Sequence, residues 1–343
     1  MALTRPSEVA APVRDAGGDN EVPRDDLGRP RIITPCPNPD CVEGRTPSLK
    51  KPAPATVKCA KCNGEGRKLV SYTRTTTFID VIEDKSNLDA WSMRMVLVGS
   101  DLDRSLLDGV DDMHAEFLHA EGKGDEVTQK RVKNELNRRA QAAKILAGAE
   151  KKADRGTHLH GLSELVDQHM DLPVGISFED VVDMDSYRRA THPRFEIVHM
   201  EKLVVHDEFM IGGTPDRVSK WVGEEDLVAP DGSLIERDEL LITDLKTGSV
   251  EYGGLKMAMQ LSIYSRSDLY DHETGARTPF GKINQRWGII MHLAAGSGET
   301  TLYWADLALG WEAVEVARQV RSLRSRSRHA LKVLASESAQ SAA

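Results

Sequence analysis

The sequence lacks several features that would assign it to a broad class of protein. It has no long uncharged apolar run and no signal-peptide pattern, so we expect a cytoplasmic protein with no membrane partner. No Gly-x-x-x-x-Gly-Lys-Ser/Thr phosphate loop occurs, so any unwinding motor would be a separate chain. Basic residues are not in excess either, because the formal net charge is −9. Nucleic-acid contacts would therefore depend on local basic patches.

Cysteine is scarce as well, with only four residues in the chain. They form two close pairs, Cys36 with Cys41 and Cys59 with Cys62. Disulfides are rare in a reducing compartment, and two such pairs supply the four thiolates of tetrahedral zinc. Gly64 and Gly66 follow the second pair, which resembles the Cys-x-x-Cys-x-Gly-x-Gly repeat of DnaJ-type zinc modules. We predict a zinc-ribbon-like module over residues 31–70 with structural Zn²⁺; an iron–sulfur cluster and four unliganded thiols are the alternatives.

An apolar strand is predicted by residues 240–248, Leu-Leu-Ile-Thr-Asp-Leu-Lys-Thr-Gly. Strand side chains alternate between faces, so Asp244 and Lys246 share one face and Leu245 points into the core. A carboxylate two residues before a lysine can hold a divalent metal ion and place an ammonium group beside a scissile phosphate. The simpler alternative is an exposed Asp and Lys on an edge strand.

Three other motifs agree with this chemistry. Residues 213–216, Gly-Thr-Pro-Asp, follow a hairpin predicted from β-branched and aromatic residues, and place Asp216 on a neighbouring strand. His160 ends the motif Gly-Thr-His-Leu-His on a predicted helix, where it faces away from the apolar stripe and towards a possible metal ion. Gln260 and Tyr264 lie one turn apart on a helix predicted over residues 254–270.

In chain order these motifs are Gly-Thr-x-x-His, Gly-x-x-Asp, Asp-x-Lys and Gln-x-x-x-Tyr. The ordered set resembles the PD-(D/E)XK nuclease superfamily, specifically its RecB-like branch, which includes phage exonucleases and the nuclease of CRISPR adaptation. The resemblance covers roughly residues 71–310. It implies an α/β fold with a restriction-endonuclease-like core, in which helices flank a mixed β-sheet, within a nuclease domain at 71–335.

The resemblance also implies roles for single residues. His160, Asp216 and Asp244 would be the ligands of Mg²⁺ or Mn²⁺, with the main-chain carbonyl of Leu245 as a further oxygen. Lys246 would orient the attacking water and stabilise charge on the phosphate. Two helix residues, Gln260 and Tyr264, would position DNA or support the metal site. Many relatives carry Glu at the position of Asp244, and both acids are hard oxygen ligands.

The flanking segments add further expectations. Residues 71–82 predict an extended entry strand, and residues 311–334 a final helix whose Arg318, Arg321 and Arg324 lie on a basic face suited to DNA phosphates. The alternative for this helix is a solvated surface with its bases near the C-terminal end, as the macrodipole favours. Residues 1–30 and 336–343 are predicted to be disordered tails.

The function that the resemblance implies is metal-dependent exonuclease activity on DNA in replication, recombination or repair, in a protein encoded by a phage. A recombination or replication protein would be a partner. The alternative from another class is a catalytically silent DNA-binding protein that uses the nuclease fold and the zinc ribbon as a recruitment platform. Endonuclease activity, strand polarity, RNA as the substrate and the oligomeric state stay open.

Overall fold

The computed structural model describes residues 22–48 and 56–331. Residues 1–21 of the first predicted tail and all of the predicted tail 336–343 lie outside the described residues. The chain divides into a larger unit, Met1–Glu83 with Leu165–Ala343, and a smaller unit, Asp84–Glu164. Its class is mixed α/β, as predicted.

The described strands all belong to the larger unit. They are β1 (Arg31–Pro35), β2 (Arg45–Pro47), β3 (Thr56–Lys58), β4 (Arg67–Ser71), β5 (Thr73–Arg74), β6 (Phe195–Met200), β7 (Val204–His206), β8 (Ile211–Gly213), β9 (Arg217–Trp221), β10 (Leu227–Val228), β11 (Leu234–Ile235), β12 (Leu240–Lys246), β13 (Asp268–Tyr270), β14 (Arg277–Thr278), β15 (Trp287–Ala294) and β16 (Glu299–Asp306).

The described helices belong to both units. They are α1 (Thr75–Ile79), α2 (Ser86–Leu102), α3 (Val110–Lys123), α4 (Glu126–Leu146), α5 (Lys151–Asp167), α6 (Phe178–Thr191), α7 (Gly254–Tyr264) and α8 (Leu307–Arg326). Three short 3₁₀ segments occur at Asp80–Ile82, Arg104–Leu107 and Ser327–His329.

The principal sheet has the strand order β16-β15-β12-β9-β6, with β12 in the centre. Strand β12 runs parallel to β15 and antiparallel to β9, so this sheet is mixed. Every residue of β12 except Lys246 is buried, as expected for a central strand covered on both faces. Leu240 and Ile242 pack against Leu261 of α7 and Leu307 of α8. One face of β12 thus carries the helix-covered core and then, at its carboxyl end, Asp244 and Lys246.

The predicted hairpin over 195–222 exists, but it is shared between two sheets. Its outer strands β6 and β9 pair in the principal sheet, whereas β7 and β8 pair in a second sheet of order β14-β13-β7-β8-β5. The turn connects His206 to Ile211, slightly beyond the predicted position. Asp216 follows β8 and immediately precedes β9, so the hairpin carries it to the side of β12.

Three predicted element boundaries are wrong. The helix predicted over 254–270 ends at Tyr264, where the hydroxyls of Ser265 and Ser267 bond to the carbonyls of Ser262 and Ile263 and compete with further helix. The last residues of that prediction form β13 instead. The final helix, predicted from residue 311, begins at Leu307 and ends at Arg326.

The entry segment 71–82 is extended only as far as Arg74 and is helical from Thr75 to Ile82. Its β-branched residues suggested a strand, but strand propensity is a weak preference that packing overrides. Phe78 and Ile79 are buried against Ile263 of α7 and Val314 of α8. Only the helical spacing presents both side chains to that cluster.

The four-cysteine module is attached to the rest of the larger unit through β1 and β4, which pair with each other. Tyr270 accepts a hydrogen bond at its hydroxyl from the N–H of Ile33, and Arg277 donates to the carbonyl of Ile33. Ile32 is fully buried in a cluster with Tyr270. The base of the module is therefore part of the protein core.

The smaller unit is helical and contains α2, α3, α4 and most of α5. Helices α2 and α4 approach closely at Gly99, where a Cβ atom would lie 1.8 Å from the carbonyl oxygen of Ala143. Along α5, Leu159, Leu162 and Val166 are buried, which confirms the apolar stripe predicted for this helix.

Within the described residues, no helix combines the length and the apolar character that a membrane span needs.

Candidate functional site

The acid and the lysine at the end of β12 contact each other. Lys246 Nζ forms an ion pair with Oδ2 of Asp244. The Asp244 side chain is only 1% exposed, while that of Lys246 is 29% exposed and reaches the surface. Neither carboxylate oxygen of Asp244 has a hydrogen-bond donor of regular geometry within the described part of the chain. A buried carboxylate is costly unless a cation compensates it, and the Lys246 ammonium supplies one such charge here.

Asp216 is hydrogen-bonded to the backbone of β12. Its Oδ2 accepts a 2.9 Å hydrogen bond from the backbone N–H of Leu245. The N–H and C=O of one strand residue point to the same side, so the carbonyl of Leu245 also faces β9 and Asp216. The β12–β9 ladder ends at the pair Thr243 and Arg217, so Leu245 lies beyond it. Asp216 is thus hydrogen-bonded to the residue that directly follows Asp244.

Burial and nearby charges shift the pKa values of Asp244 and Lys246. Burial and the neighbouring Asp216 raise the pKa of Asp244 to about 7, although Lys246 acts in the opposite direction. Burial lowers the pKa of Lys246, but the carboxylates of Asp244 and Asp216 outweigh it and raise that pKa above its usual value. Lys246 is therefore a cation at neutral pH, and the two carboxylates repel each other.

Gln260 and Tyr264 lie one turn apart on α7, as predicted. The side-chain amide of Gln260 donates a 3.3 Å hydrogen bond to the Tyr264 hydroxyl. Burial is the main reason that the pKa of Tyr264 is raised, and the charges of Asp244 and Asp216 add to the effect. The phenol therefore keeps its proton beside the two carboxylates.

Close packing around Gly213 explains why the motif that ends in Asp216 begins with glycine. A Cβ atom there would lie 2.3 Å from Thr75 Oγ1 and 2.7 Å from Tyr264 Cε1. Thr75 is buried and belongs to α1, which the sequence had predicted as extended. The close approach of α1 and α7 over β8 thus requires a residue without a side chain. Thr75 is a site-supporting residue that sequence reasoning missed.

His160 lies on α5 in the smaller unit, whereas Asp216, Asp244 and Lys246 belong to the larger one. Its role as a metal ligand stays a prediction. Within the described residues of the larger unit, no third His, Cys, Asp or Glu joins Asp216 and Asp244 in a metal-ligand group.

The residues present fit Mg²⁺ or Mn²⁺ on chemical grounds. Both ions prefer hard oxygen ligands, which Asp216, Asp244 and the Leu245 carbonyl supply. The Asp244 oxygens are buried, and Oδ1 has no partner among the described residues, so this oxygen has unused coordinating capacity.

The predicted DNA-contacting arginines of α8 differ in their surroundings. Arg318 lies over the ring of Phe209, 5.0 Å from its centroid, and forms a 2.8 Å ion pair with Glu315. Arg321 lies over Phe78 at 5.0 Å and donates to Thr73 Oγ1, so it also fastens α8 to neighbouring elements. Arg324 is exposed. Their contact with DNA stays a prediction.

The four cysteines converge. All four sulfur atoms lie within 4.8 Å of one another, and Cys36 with Cys59 and Cys41 with Cys62 are separated by 3.7 and 3.6 Å. A tetrahedral site with Zn–S bonds of about 2.3 Å has sulfurs about 3.8 Å apart. The cluster can therefore hold a metal ion such as zinc.

Polar donors lie close to two of the sulfurs, those of Cys59 and Cys62. Asn38 Nδ2 donates to Cys59 Sγ at 3.5 Å, and this contact is the main cause that lowers the Cys59 pKa to about 6. The N–H of Gly66 donates to Cys62 Sγ at 3.2 Å. Gly66 and Gly44 both have positive φ, and a Cβ atom on Gly44 would lie 2.1 Å from the Gly64 carbonyl oxygen. Glycines thus let the turns after both cysteine pairs close around the sulfurs.

A buried charged cluster on the other face of the sheet was missed by sequence reasoning. Arg217 and Asp167 form an ion pair whose side chains are both 1% exposed, and Tyr187 donates to Asp167 at 3.0 Å. His192 Nε2 lies 3.9 Å from the same carboxylate. Arg217 directly follows Asp216 and is the first residue of β9. The cluster therefore holds the start of β9 in place beside the second carboxylate. No clear sequence signal marks this cluster, because β9 also contains Ser219 and Lys220.

No model of a known protein family matches this chain, and no curated protein matches it.

Proposed function

We propose that the chain is a metal-dependent deoxyribonuclease of the PD-(D/E)XK type, with a restriction-endonuclease-like core. The observation that carries the proposal is the buried Asp244 carboxylate, whose Oδ1 has no hydrogen-bond donor within the described residues and whose Oδ2 contacts Lys246. The resemblance of the four ordered motifs to RecB-like nucleases supports it. We further propose that the reaction is exonucleolytic and serves replication, recombination or repair in the cytoplasm, as in the phage enzymes that the motifs resemble.

The proposed reaction is in-line attack of water on a phosphodiester bond. A Mg²⁺ or Mn²⁺ ion bound by Asp216, Asp244 and the Leu245 carbonyl would supply Lewis acidity at the phosphate. Lys246 donates hydrogen bonds from its ammonium group to the attacking water or to a phosphate oxygen. Because its carboxylate neighbours raise its pKa, it acts as a charge-stabilising donor rather than as a base.

Two other side chains hold the site in shape. Tyr264 keeps its hydroxyl proton and accepts a hydrogen bond from Gln260. This bond holds the phenol in one orientation. Thr75 and Gly213 hold α1 and β8 against the same tyrosine. This packing restricts the motion of the residues around Asp216 and Asp244. Metal coordination requires such fixed geometry.

The experiment that tests the proposal compares end-labelled linear DNA with covalently closed circular DNA. The wild-type protein, Asp244→Ala and the surface control Asp226→Asn are each assayed with magnesium, manganese or EDTA. Metal-dependent loss of linear DNA alone, absent only in Asp244→Ala, is the expected result. Cutting of circles would make the protein an endonuclease. DNA binding without cleavage in any metal would support a silent recruitment platform instead.

We also propose that the four-cysteine cluster holds structural Zn²⁺. The sulfur separations of 3.6 and 3.7 Å support a single tetrahedral ion. A module of this size buries little surface, so the metal would supply much of its stability. Elemental analysis should find about one zinc per chain. Iron with visible absorption would indicate an iron–sulfur cluster instead.

A further inference from the structure

We infer that the open face of β15 and β16 beside Asp244 and Lys246 binds one strand of the nucleic-acid substrate, through His292 and Tyr303. This inference rests on the proposed nuclease function and deepens it, because it assigns a substrate surface to residues outside the four motifs.

Strand register places His292 next to Lys246. In the parallel pairing of β12 with β15, Lys246 is opposite His292 and Asp244 is opposite Ile290. Registered residues on paired strands project from the same face, and neighbouring strands lie about 4.8 Å apart. His292 is therefore the nearest side chain to Lys246 across the sheet on that face, and it is partly exposed. The structure thus continues the polar edge of β12 onto β15.

The same register places Tyr303 beyond Ile290. In the antiparallel pairing of β15 with β16, Ile290 is opposite Tyr303 and His292 is opposite Thr301. Tyr303 lies two strands from Asp244, about 9.6 Å across the sheet. Its ring centroid is 6.1 Å from that of His292. Asp244, Lys246, His292 and Tyr303 therefore lie on one continuous face.

This face is open where β16 forms the sheet edge. Glu299, Thr301 and Tyr303 are exposed, and the tyrosine is 44% exposed, whereas the alternate residues are partly buried. On the alternate face, Thr300 forms a hydrogen bond with Ser186 of α6. On this face the cluster with α7 and α8 includes Ile290, Ala305 and Leu307 but not His292, Thr301 or Tyr303. The helices thus cover the core part of the sheet and leave the first residues of β16 uncovered on this face.

The chemistry of this surface suits a nucleic-acid strand. An exposed aromatic ring is a stacking platform for a base of any sequence. An imidazole N–H beside an ammonium group provides donors for phosphate oxygens, and phosphate contacts position a strand on its protein. With a phosphate at Lys246 and His292, the adjoining base reaches Tyr303. The acidic Glu299 bounds the surface at the far end of the strand.

The first test is binding of a fluorescein-labelled single-stranded oligonucleotide, measured by anisotropy without divalent metal. Tyr303→Leu should weaken binding about tenfold, because a base–aromatic contact is worth about that factor or more. Tyr303→Phe keeps the ring and should bind within about twofold of wild type. Phe178→Leu is the matched control, since Phe178 is 82% exposed on α6, at the opposite face of the sheet. His292→Ala should weaken binding about three- to tenfold.

A second measurement uses the unaltered protein and does not depend on the folding of a variant. An oligonucleotide with a photoreactive 5-iodouracil base is cross-linked, and the modified peptide is identified by mass spectrometry. The peptide that contains Tyr303 should carry the cross-link.

The outcomes separate the two proposals. If the wild-type protein cleaves DNA while Tyr303→Leu binds as tightly as wild type, or if the cross-link maps to another surface, the substrate-surface inference is overturned. If the wild-type protein neither binds nor cleaves nucleic acid, the proposed function itself fails.

Discussion

The backbone N–H of Leu245 donates a 2.9 Å hydrogen bond to Oδ2 of Asp216. This bond joins two motifs that lie far apart in the sequence, because it holds the second carboxylate against the strand that carries Asp244. The repulsion between the two acids and the burial of Asp244 raise the pKa of Asp244. The site therefore stores unfavourable charge that a cation, a proton or a neutral side chain relieves.

Asp244→Asn should stabilise the protein at high pH when no magnesium or manganese is added. The pKa of Asp244 is about 7 in the folded protein, above the value of about 3.9 expected in the unfolded chain. The folded state therefore holds the extra proton, and the contribution of this group to stability falls as pH rises from about 4 to 7. Asparagine removes that loss.

Urea unfolding at pH 5 and pH 8 measures this effect. Between pH 5 and pH 8, the free energy of unfolding of the variant should rise by about 1–3 kcal/mol relative to that of wild type. The exposed control Asp226→Asn should show no such gain. Equal pH dependence of wild type and Asp244→Asn would contradict the raised pKa.

Gly213→Ala should both destabilise the protein and impair catalysis. The new methyl group would lie 2.3 Å from Thr75 and 2.7 Å from Tyr264, so α1 or α7 must shift. Overpacking of this kind typically costs about 1–3 kcal/mol. Gly122→Ala is the control, because a Cβ atom there meets nothing within 4 Å. Thermal unfolding that shows no difference between the two variants would mean that this contact is not tight.

Cys59→Ser should abolish metal binding by the four-cysteine module. Cys59 is fully buried and contacts Cys36, so its loss leaves three sulfurs without a closed tetrahedral site. Lys61→Ser alters an exposed residue between the same two cysteines and should retain the metal. Metal content and the rate of proteolysis within residues 31–70 measure the difference. Full metal retention by Cys59→Ser would exclude four-cysteine coordination.

Asp167→Asn should be strongly destabilising without any direct contact with substrate. It leaves the buried guanidinium of Arg217 without its counter-charge, a change that typically costs about 3–5 kcal/mol. Tyr187→Phe removes only one hydrogen bond to the same carboxylate and should cost about 1 kcal/mol. Denaturant unfolding measures the loss of unfolding free energy in both variants. A loss in Asp167→Asn no larger than that in Tyr187→Phe would contradict the buried ion pair.

Local periodicity was sufficient to predict several parts of the site. The alternation along β12 placed Asp244 and Lys246 on one face with Leu245 buried, and the four-residue spacing of Gln260 and Tyr264 placed them together on α7. Cysteine spacing predicted a cluster that the structure brings within 4.8 Å. These features depend on residues close in sequence, where strand and helix geometry alone decides the arrangement.

Other parts depended on tertiary packing and were not predictable in the same way. Thr75–Ile79 is helical because Phe78 and Ile79 are buried together, against the local strand preference. Asp167 and Arg217 pair across 50 residues of sequence. The neighbours of Lys246 on the sheet depend on the register of β15, which no short pattern specifies.

The most direct test of the account is single-turnover cleavage of end-labelled linear DNA by wild type, Lys246→Ala and Lys220→Ala in magnesium. Lys220 lies on the adjoining strand β9 and serves as the matched control. Lys246→Ala should slow cleavage by about 10²–10³-fold, the usual loss for a donor that stabilises transition-state charge, while DNA binding weakens by only about three- to tenfold, as for His292→Ala. Lys220→Ala should cleave at the wild-type rate. Wild-type cleavage by Lys246→Ala would contradict the account.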